Sequence, residues 1–326
     1  MIRAPRPMRN RTLAAELPSD TLQPVRDSFM ESGAPRQGPG RTKKMVASPL
    51  RACVLGALLG LVPLSAQAVV EGRTSRDPGG LRASVVRIES TQGEICSGTL
   101  IAQDIVLTAA HCVMHKAGYN VVVVDPNFRQ RRLRAVAVSM HPEFVPGTTP
   151  EEQPGIDLAL IKLEQPVGAG FRPLDPRGGS ITTGDNVDIA GFGVLAENRR
   201  NTARTLRTAH LVSIGSLQVA NRVTVVTDSR RMAETAGAGA CLGDSGGPIL
   251  RGGQMVGVVS WSSGAMRQDR RARTACGGFT AVTPTGEHAS WISSRTAEME
   301  AMTADMAAAQ AGRTEWMARP GRRRMY

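Results

Sequence analysis

The sequence predicts an all-β fold made of two six-stranded units. Short runs rich in Val, Ile and Leu alternate with turn-forming residues, and the 326-residue chain contains 35 Gly and 20 Pro. Runs of this kind bounded by Gly and Pro are typical of strands. Twelve such runs lie evenly on the two sides of a Pro- and Gly-rich loop at residues 166–179. The length allows one large domain or two small ones, with a packed core in either case.

The strands are predicted in the following order. The first unit covers residues 83–89, 97–101, 105–109, 120–124, 133–139 and 158–163, and the second covers 186–190, 206–214, 222–226, 247–250, 255–261 and 278–282. Residues 287–310 are rich in Ala, Met and Glu and lack Gly and Pro, so we expect a helix there. The last residues, 312–326, are expected to be frayed.

Charge is concentrated at the two ends of the chain. The formal net charge is +12, but residues 1–68 carry ten Lys and Arg against four Asp and Glu, and residues 313–326 carry five Arg against one Glu. The body between them is therefore nearly neutral. Nucleic-acid binding requires a basic face on a folded domain, which this distribution does not provide. A solvated, disordered basic tail is the simpler interpretation of the C-terminus.

An apolar segment at residues 52–64 has the features of a secretory signal. Arg and Lys precede it, and residues 66–68 (AQA) follow with the small-residue pattern that signal peptidase recognises. The run of 13 residues is short for a membrane span, so a cleaved signal is favoured over an anchor or a buried helix. Met45 would be an ordinary start for it, which leaves residues 1–44 as a misassigned start or a disordered extension.

The cysteines predict disulfides. Cys53 lies in the signal segment, and four others remain in a chain bound for an oxidising compartment: Cys96, Cys112, Cys241 and Cys276. Four cysteines allow three pairings, among which the spacing does not choose. A zinc site is disfavoured because no Cys-x-x-Cys pair is present.

Three short segments carry chemistry: residues 108–112 (TAAHC), 157–163 (DLALIKL) and 243–248 (GDSGGP). A serine hydroxyl such as that of Ser245 is a weak nucleophile until a base takes its proton. The imidazole of His111 can do so near neutral pH, and the carboxylate of Asp157 can fix its tautomer. The glycines beside Ser245 permit a tight turn that directs N–H groups at a developing oxyanion.

Each segment also has a plain structural interpretation. His111 could be an ordinary histidine, or could pair with His115 around a metal, although no third ligand is apparent. Asp157 could begin a strand, and Ser245 could belong to a Gly-rich turn. All three in the order His, Asp, Ser in a β-rich exported chain favour a catalytic triad, since this order is one of its known arrangements.

The three segments resemble the signatures of the chymotrypsin/trypsin family of two-barrel serine proteases, over about residues 69–295. The resemblance implies two six-stranded antiparallel β-barrels, residues 69–172 and 173–284, followed by a C-terminal helix whose start, 285–295, ends the peptidase domain. Residues 296–326 would form the rest of the helix and the tail. The resemblance further implies a catalytic triad of His111, Asp157 and Ser245, with an oxyanion hole formed by the N–H groups of Gly243 and Ser245.

The resemblance also implies disulfides Cys96–Cys112 and Cys241–Cys276, and an activation mechanism. In this family a freed apolar N-terminus pairs with the Asp that precedes the nucleophile, here Asp244. Cleavage after Ala68 would expose residues 69–72 (VVEG), which are close to the family's usual Ile-Val-Gly-Gly, although Glu71 replaces a Gly. We therefore expect removal of the signal itself to activate the enzyme through Val69.

The specificity pocket implied by the resemblance is uncharged. Gly239 occupies the floor position at which tryptic members carry Asp, so we expect small or medium apolar P1 residues rather than Lys or Arg. The other pocket and cleft residues implied are Ala240, Ser260, Trp261, Ser262 and Gly277. Ser260 would also support Asp157.

These observations predict a secreted or periplasmic serine endopeptidase that acts on protein or peptide substrates. We expect no cofactor, no metal, no nucleic-acid partner and no stable membrane insertion after signal cleavage. Two alternatives remain: a non-catalytic relative that only binds partners, and a membrane-tethered zymogen that retains its signal.

Overall fold

The first barrel is formed by the Val-, Ile- and Leu-rich runs of the first half of the chain. The structure is a computed structural model that describes residues 72–74, 80–267 and 274–302. A short strand β1 (Arg73–Thr74) comes first. The strands of the first barrel are β2 (Val85–Ser90), β3 (Ile95–Ala102), β4 (Ile105–Thr108), β5 (Tyr119–Val124), β6 (Gln130–Met140) and β7 (Ala159–Leu163). They close in the order β2-β3-β4-β7-β6-β5, with every pair antiparallel.

The second barrel follows a connection without strands over residues 164–185. Its strands are β8 (Asn186–Gly191), β9 (Arg207–Gln218), β10 (Arg222–Thr227), β11 (Pro248–Arg251), β12 (Gln254–Gly264) and β13 (Gly277–Pro284). They pair in the order β9-β10-β13-β12-β11-β8, and the pairing of β8 with β9 closes the barrel. Strand β1 adds to the outside of β9.

Each barrel encloses its own apolar core. Leu100, Ile105 and Leu107 are fully buried in the first barrel, and Ile189 and Val256 in the second. Branched aliphatic side chains fit the half-buried face of a pleated strand, which explains why these runs form strands rather than helices. The predicted all-β fold of two six-stranded barrels is confirmed.

All twelve predicted strands are present, and the largest errors are at their ends. Strand β6 begins at Gln130 rather than at residue 133, because its first residues are polar and exposed and so lack a strand pattern. Their pairing with β5 (Arg132 with Val122) makes them a strand. Strands β9 and β12 extend four and three residues beyond their predicted ends. In each case a neighbouring strand supplies hydrogen bonds that the local pattern does not reveal.

The C-terminal helix is shorter at its start than predicted. A 3-10 turn (Gly286–His288) precedes helix α1 (Ala289–Glu300), so residues 287 and 288 are not α-helical. The helix packs on the first barrel through Ile292 and Met299. The rest of the predicted helix, from residue 303, and the predicted leader (residues 1–68) lie outside the described residues. Within the described residues no helix is long and apolar enough to cross a membrane.

Candidate active site

His111 and Asp157 are brought together by two neighbouring strands. His111 lies on a 3-10 turn (Ala110–Val113) after the end of β4, and Asp157 lies two residues before the start of β7. These ends are adjacent because Thr108 pairs with Ala159. Asp157 Oδ2 is 2.8 Å from His111 Nδ1, and Asp157 Oδ1 accepts the His111 backbone N–H at 2.9 Å. The imidazole is thereby held at Nδ1, and its Nε2 lies 3.7 Å from Cys112 Sγ.

Asp157 is fully buried and receives a second donor from the other barrel. Ser260, on β12, donates its hydroxyl to Asp157 Oδ2 at 2.5 Å. Burial alone would raise the pKa of Asp157, but attraction to His111 and the hydrogen bonds from His111 and Ser260 outweigh it and lower the pKa. Asp157 is therefore ionised at neutral pH.

The same pair shifts the pKa of His111. Burial alone would lower that pKa, but the charge of Asp157 and its hydrogen bond dominate, and the pKa lies above 6.5. An imidazole in this position can take a proton at neutral pH and hold it as an imidazolium paired with the carboxylate.

Ser245 lies at the tight turn that the GDSGGP segment predicts. Gly243 and Gly246 on either side adopt φ of +97° and +83°, which favour glycine. The Ser245 hydroxyl donates to the Ser260 carbonyl at 3.3 Å. Among the described residues no hydrogen bond joins it to His111. Catalytic hydrogen bonds of unliganded sites are often long or poorly aligned and tighten when substrate binds.

Two backbone N–H groups at this turn have no acceptor among the described residues. The Asp244 N–H donates to the Cys241 carbonyl, and the Gly246 N–H donates to the Val259 carbonyl. Among the described residues the N–H groups of Gly243 and Ser245 have no acceptor. Unsatisfied N–H groups flanking a nucleophile are suited to stabilise an oxyanion.

Asp244 points away from this turn into the second barrel and is fully buried. It accepts N–H groups from Gly193 (2.8 Å, to Oδ1) and Cys241 (3.0 Å, to Oδ2). Burial raises its pKa to about 6, although these bonds and the charge of Arg207 act in the opposite direction. No ion pair to Asp244 is present among the described residues. Val69, its expected partner, lies outside them.

The residues of the expected specificity pocket converge in the second barrel. A Cβ placed on Gly239 would lie 3.3 Å from Gly277 Cα, so the two glycines face each other closely. Thr280, which the sequence reasoning missed, lies 3.5 Å from the same point and accepts the Ala240 N–H at 3.0 Å. Thr280 is fully buried and uncharged. A side chain at Gly239 would point toward it.

Ser262 makes a hydrogen bond at the rim of this expected pocket. Its hydroxyl donates to the Ala275 carbonyl at 3.0 Å, and the Ala275 N–H donates to Glu197 at 2.7 Å. Trp261 is partly exposed and packs on a small cluster that includes Val225. Glu197 lies on a loop far away in sequence, so no local pattern could reveal its contact with the rim.

Both disulfides implied by the resemblance are present. Cys96–Cys112 braces the turn that carries His111, and Cys241–Cys276 joins the segment before Ser245 to the pocket wall. Cys96 and Cys112 also lie close to His111, but their sulfurs are bonded to each other and provide no thiolate for a metal.

The loop before Asp157 (residues 141–156) is fixed by residues that the sequence reasoning missed. The amide of Gln153, 1% exposed, accepts the Gly155 N–H at 2.8 Å and makes its other hydrogen bonds within the loop. Asn221, from the β9–β10 hairpin, donates to the Gly155 carbonyl at 2.5 Å. A single Gln and a single Asn form no motif, so only the tertiary contacts identify them.

Known proteins resemble this chain over the two barrels. A family model described as Trypsin matches residues 70–292. Kallikrein-8 of Rattus norvegicus is 28% identical over 222 residues, covering 64% of this chain and 82% of the relative. Venom plasminogen activator Haly-PA of Gloydius brevicauda is 29% identical over 229 residues, covering 68% and 84% respectively.

Solved structures share the fold. Mouse neuropsin, described as a serine protease expressed in the limbic system, superposes with a TM-score of 0.55 at 22% identity, over 69% of this chain and 99% of that chain. Human heparin binding protein superposes with a TM-score of 0.54 at 22% identity, over 69% and 95%. Because the family model spans most of the chain and the curated relatives are proteases, the chain belongs to the trypsin family and is a serine endopeptidase.

Proposed function

We propose that this endopeptidase is secreted or periplasmic and cleaves peptide bonds with Ser245 as nucleophile, His111 as general base and Asp157 as the residue that orients the base. The observation that carries this proposal is the hydrogen-bonded chain from Ser260 through Asp157 to His111, which occupies Nδ1 and leaves Nε2 as the ring nitrogen that can accept a proton. Protein or peptide substrates follow from the family.

The proposed reaction is acyl transfer in two stages. His111 Nε2 takes the Ser245 proton as Oγ attacks the scissile carbonyl, and the N–H groups of Gly243 and Ser245 stabilise the tetrahedral oxyanion. The imidazolium then protonates the leaving amine, and the C–N bond breaks to give an acyl-enzyme. A water molecule then attacks the acyl-enzyme. His111 removes a proton from the water, the ester bond to Ser245 breaks, and His111 returns the proton to Ser245 Oγ.

We further propose the chain organisation and activation. Residues 45–68 form a signal that is cleaved after Ala68, residues 69–295 form the peptidase domain, residues 1–44 are an extension or a misassigned start, and residues 296–326 follow the domain as a tail. The freed ammonium of Val69 would pair with Asp244. The raised pKa of this buried carboxyl supports the pairing, because a cation beside it would keep it ionised and so complete the oxyanion hole.

The P1 preference we propose is small or medium and apolar. Gly239, Ala240 and Thr280 present no charge, so a Lys or Arg side chain would lose hydration without gaining an ion pair. We expect kcat/KM for P1 Ala, Val or Leu peptides to exceed that for matched Lys or Arg peptides by at least about tenfold. Faster cleavage after Lys or Arg would contradict an uncharged pocket.

The pH dependence of kcat/KM should follow the protonation of the His111 imidazole. Only the neutral imidazole can accept the Ser245 proton, so kcat/KM should rise with pH and fall as the pH drops through the His111 pKa. Because Asp157 raises that pKa, the midpoint of the acid limb should lie above 6.5. An NMR titration of the imidazole in Ser245→Ala provides the independent value. A midpoint below 6.5 in both measurements would contradict the Asp157 contribution.

The proposal is tested by intact-mass spectrometry of the exported protein before and after treatment with a fluorophosphonate probe. We expect a chain that begins at Val69 and gains one probe, with no gain in Ser245→Ala. A chain that begins at Val69 and stays unlabelled would indicate a non-catalytic relative. An unlabelled chain that still carries its signal would indicate a tethered zymogen.

A further inference from the structure

Two histidines outside the proposed triad meet between the first barrel and the C-terminal helix. His141 follows the end of β6 and is 7% exposed, and His288 ends the 3-10 turn before α1. Their rings meet edge to face with centroids 5.2 Å apart, and the His141 ring lies 4.7 Å from that of Trp291 on α1. We refer to His141 and His288 as the histidine pair. It joins the start of the helix to the start of the loop that leads to Asp157.

The surroundings of His141 favour a neutral imidazole. Its Nδ1 accepts the Glu143 backbone N–H at 3.3 Å, which is possible only when that nitrogen carries no proton. Protonation converts Nδ1 into a donor, so this hydrogen bond is lost and a cation has to be held in a site that excludes most water. Acid therefore acts on His141 at the contact that begins the loop at residues 141–156.

Burial and charge make both imidazoles hard to protonate in the folded protein. Burial and the charge of His288 lower the pKa of His141, and burial lowers the pKa of His288. Because both pKa values lie below 6.5, the unfolded chain takes up these protons first as the pH falls. The stability that the neutral pair contributes is therefore fully present above about pH 6.5 and is lost as the pH falls below it.

Two acidic side chains act on the pair in the opposite direction. Glu143, on the loop, raises the pKa of both imidazoles, and Glu287, on the 3-10 turn, raises that of His288. Burial is the larger effect at each ring, so both pKa values stay lowered. The nearby acids therefore reduce the cost of protonating the pair without removing it.

The remaining charged side chains on the described strands and helix around the pair are paired or distant. Arg295 on α1 is paired with Glu298, and it donates to Ser139 near the end of β6 at 2.7 Å. Lys162 on β7 has its own acidic partner at 2.6 Å. Glu300 lies at the far end of α1, and the arginines of β6 lie in its first half. Because Arg295 attaches the helix to the barrel at any of these pH values, we expect acid to free only its first turn.

His141 is connected to Asp157 through the backbone. The His141 N–H donates to the carbonyl of Leu158, the residue after Asp157, at 2.8 Å, and the His141 carbonyl accepts the Phe144 N–H at 2.9 Å. A displacement of His141 would thus act on both ends of the loop at residues 141–156. Asp157 in turn holds the His111 imidazole, so this loop connects the histidine pair to the proposed triad.

We propose that the histidine pair is an acid-sensitive switch, which holds the first turn of α1 and the loop at residues 141–156 in place at neutral pH and releases both when an imidazole is protonated. Neutral rings can pack edge to face while Nδ1 of His141 accepts a hydrogen bond, whereas a cation in the same site loses that bond and its hydration. The consequence for activity, a displaced Asp157 in acid, rests on the proposed function, but the release itself does not.

The release is tested by amide hydrogen exchange in full-length Ser245→Ala protein, so that neither turnover nor the catalytic assignment enters. Protection factors, which correct for the intrinsic effect of pH on exchange, are compared at about pH 7.5 and about pH 5. We expect those of residues 141–158 and 286–292 to fall at least about tenfold, and more than those of strand β3. Equal changes throughout the described chain, or no change, would overturn the proposal.

Variants of His288 assign the effect to the pair. His288→Phe keeps an aromatic edge against His141 and cannot take a proton, and His288→Gln replaces it if the larger ring prevents folding. Either variant should reduce the acid-induced loss of protection at residues 286–292 by at least about threefold. His210→Gln is the matched control, because this histidine is exposed on β9, and it should respond as the parent does. An unchanged acid response in the folded His288 variant would overturn the proposal.

Discussion

Replacing Asp157 with Asn is expected to lower kcat about 10⁴-fold, the loss that the same exchange causes in type enzymes of this family. Asp157 accepts from both the ring and the backbone of His111. An Asn that keeps the backbone contact turns its amide NH₂ toward Nδ1. The imidazole then carries its proton on Nε2 and cannot accept the Ser245 proton.

The measurement is kcat and KM on a peptide amide, together with the thermal unfolding midpoint. KM should change little, because Asp157 does not contact substrate. Asp188→Asn is the matched control: this partly exposed aspartate on β8 has no contact with the triad, so its activity should equal that of the parent. A folded Asp157→Asn enzyme that loses less than about tenfold would show that His111 does not depend on this carboxylate.

The second large effect is expected for Gly193→Ala. A Cβ at this position would lie 2.5 Å from Cγ and from Oδ2 of Asp244, closer than real contacts allow. Asp244 is fully buried, and each of its carboxylate oxygens accepts a backbone N–H that would be lost if the side chain turned. Because it lies between Gly243 and Ser245, its displacement would move both N–H groups of the proposed oxyanion hole. Loss of one such donor costs about 10²–10³-fold in kcat, and we expect at least that.

Activity is measured per folded molecule, with circular dichroism and unfolding in parallel, since overpacking also lowers stability by about 1–3 kcal/mol. Gly118→Ala is the control, because its nearest neighbour is the end of the exposed Thr91 side chain at 3.1 Å, which can move. Full activity in Gly193→Ala would show that the position of Asp244 does not govern the catalytic turn.

Strand positions could be predicted from the sequence because the barrel cores require uninterrupted branched aliphatic residues. The run at residues 119–124 (YNVVVV) is an example, and it forms β5 as expected. The start of β6 could not be predicted in the same way. Arg131 and Arg132 are exposed there, and their strand conformation depends on pairing with β5. Local pattern therefore identifies buried strands better than the exposed ends of long ones.

The candidate triad could be predicted because each of its residues lies in a short, specific segment. The contacts around it could not. Gln153 and Asn221 hold the loop before Asp157, and Thr280 lies near Gly239 in the pocket. None of these three residues belongs to a sequence motif. Asn221 and Thr280 contact residues that are far away in the chain, and Gln153 joins the two ends of its own loop.

The sequence by itself determined the all-β class, the twelve strands of the two barrels, the segments that carry His111, Asp157 and Ser245, and the presence of disulfide-forming cysteines. Each of these features depends on local composition or on a short motif. Such a pattern can be read without knowing which distant residues the segment contacts. Only the tertiary structure decided which distant groups meet: Ser260 on Asp157, and Gly193 on Asp244. Such contacts arise from barrel closure and from the packing of two barrels, which join residues far apart in the chain.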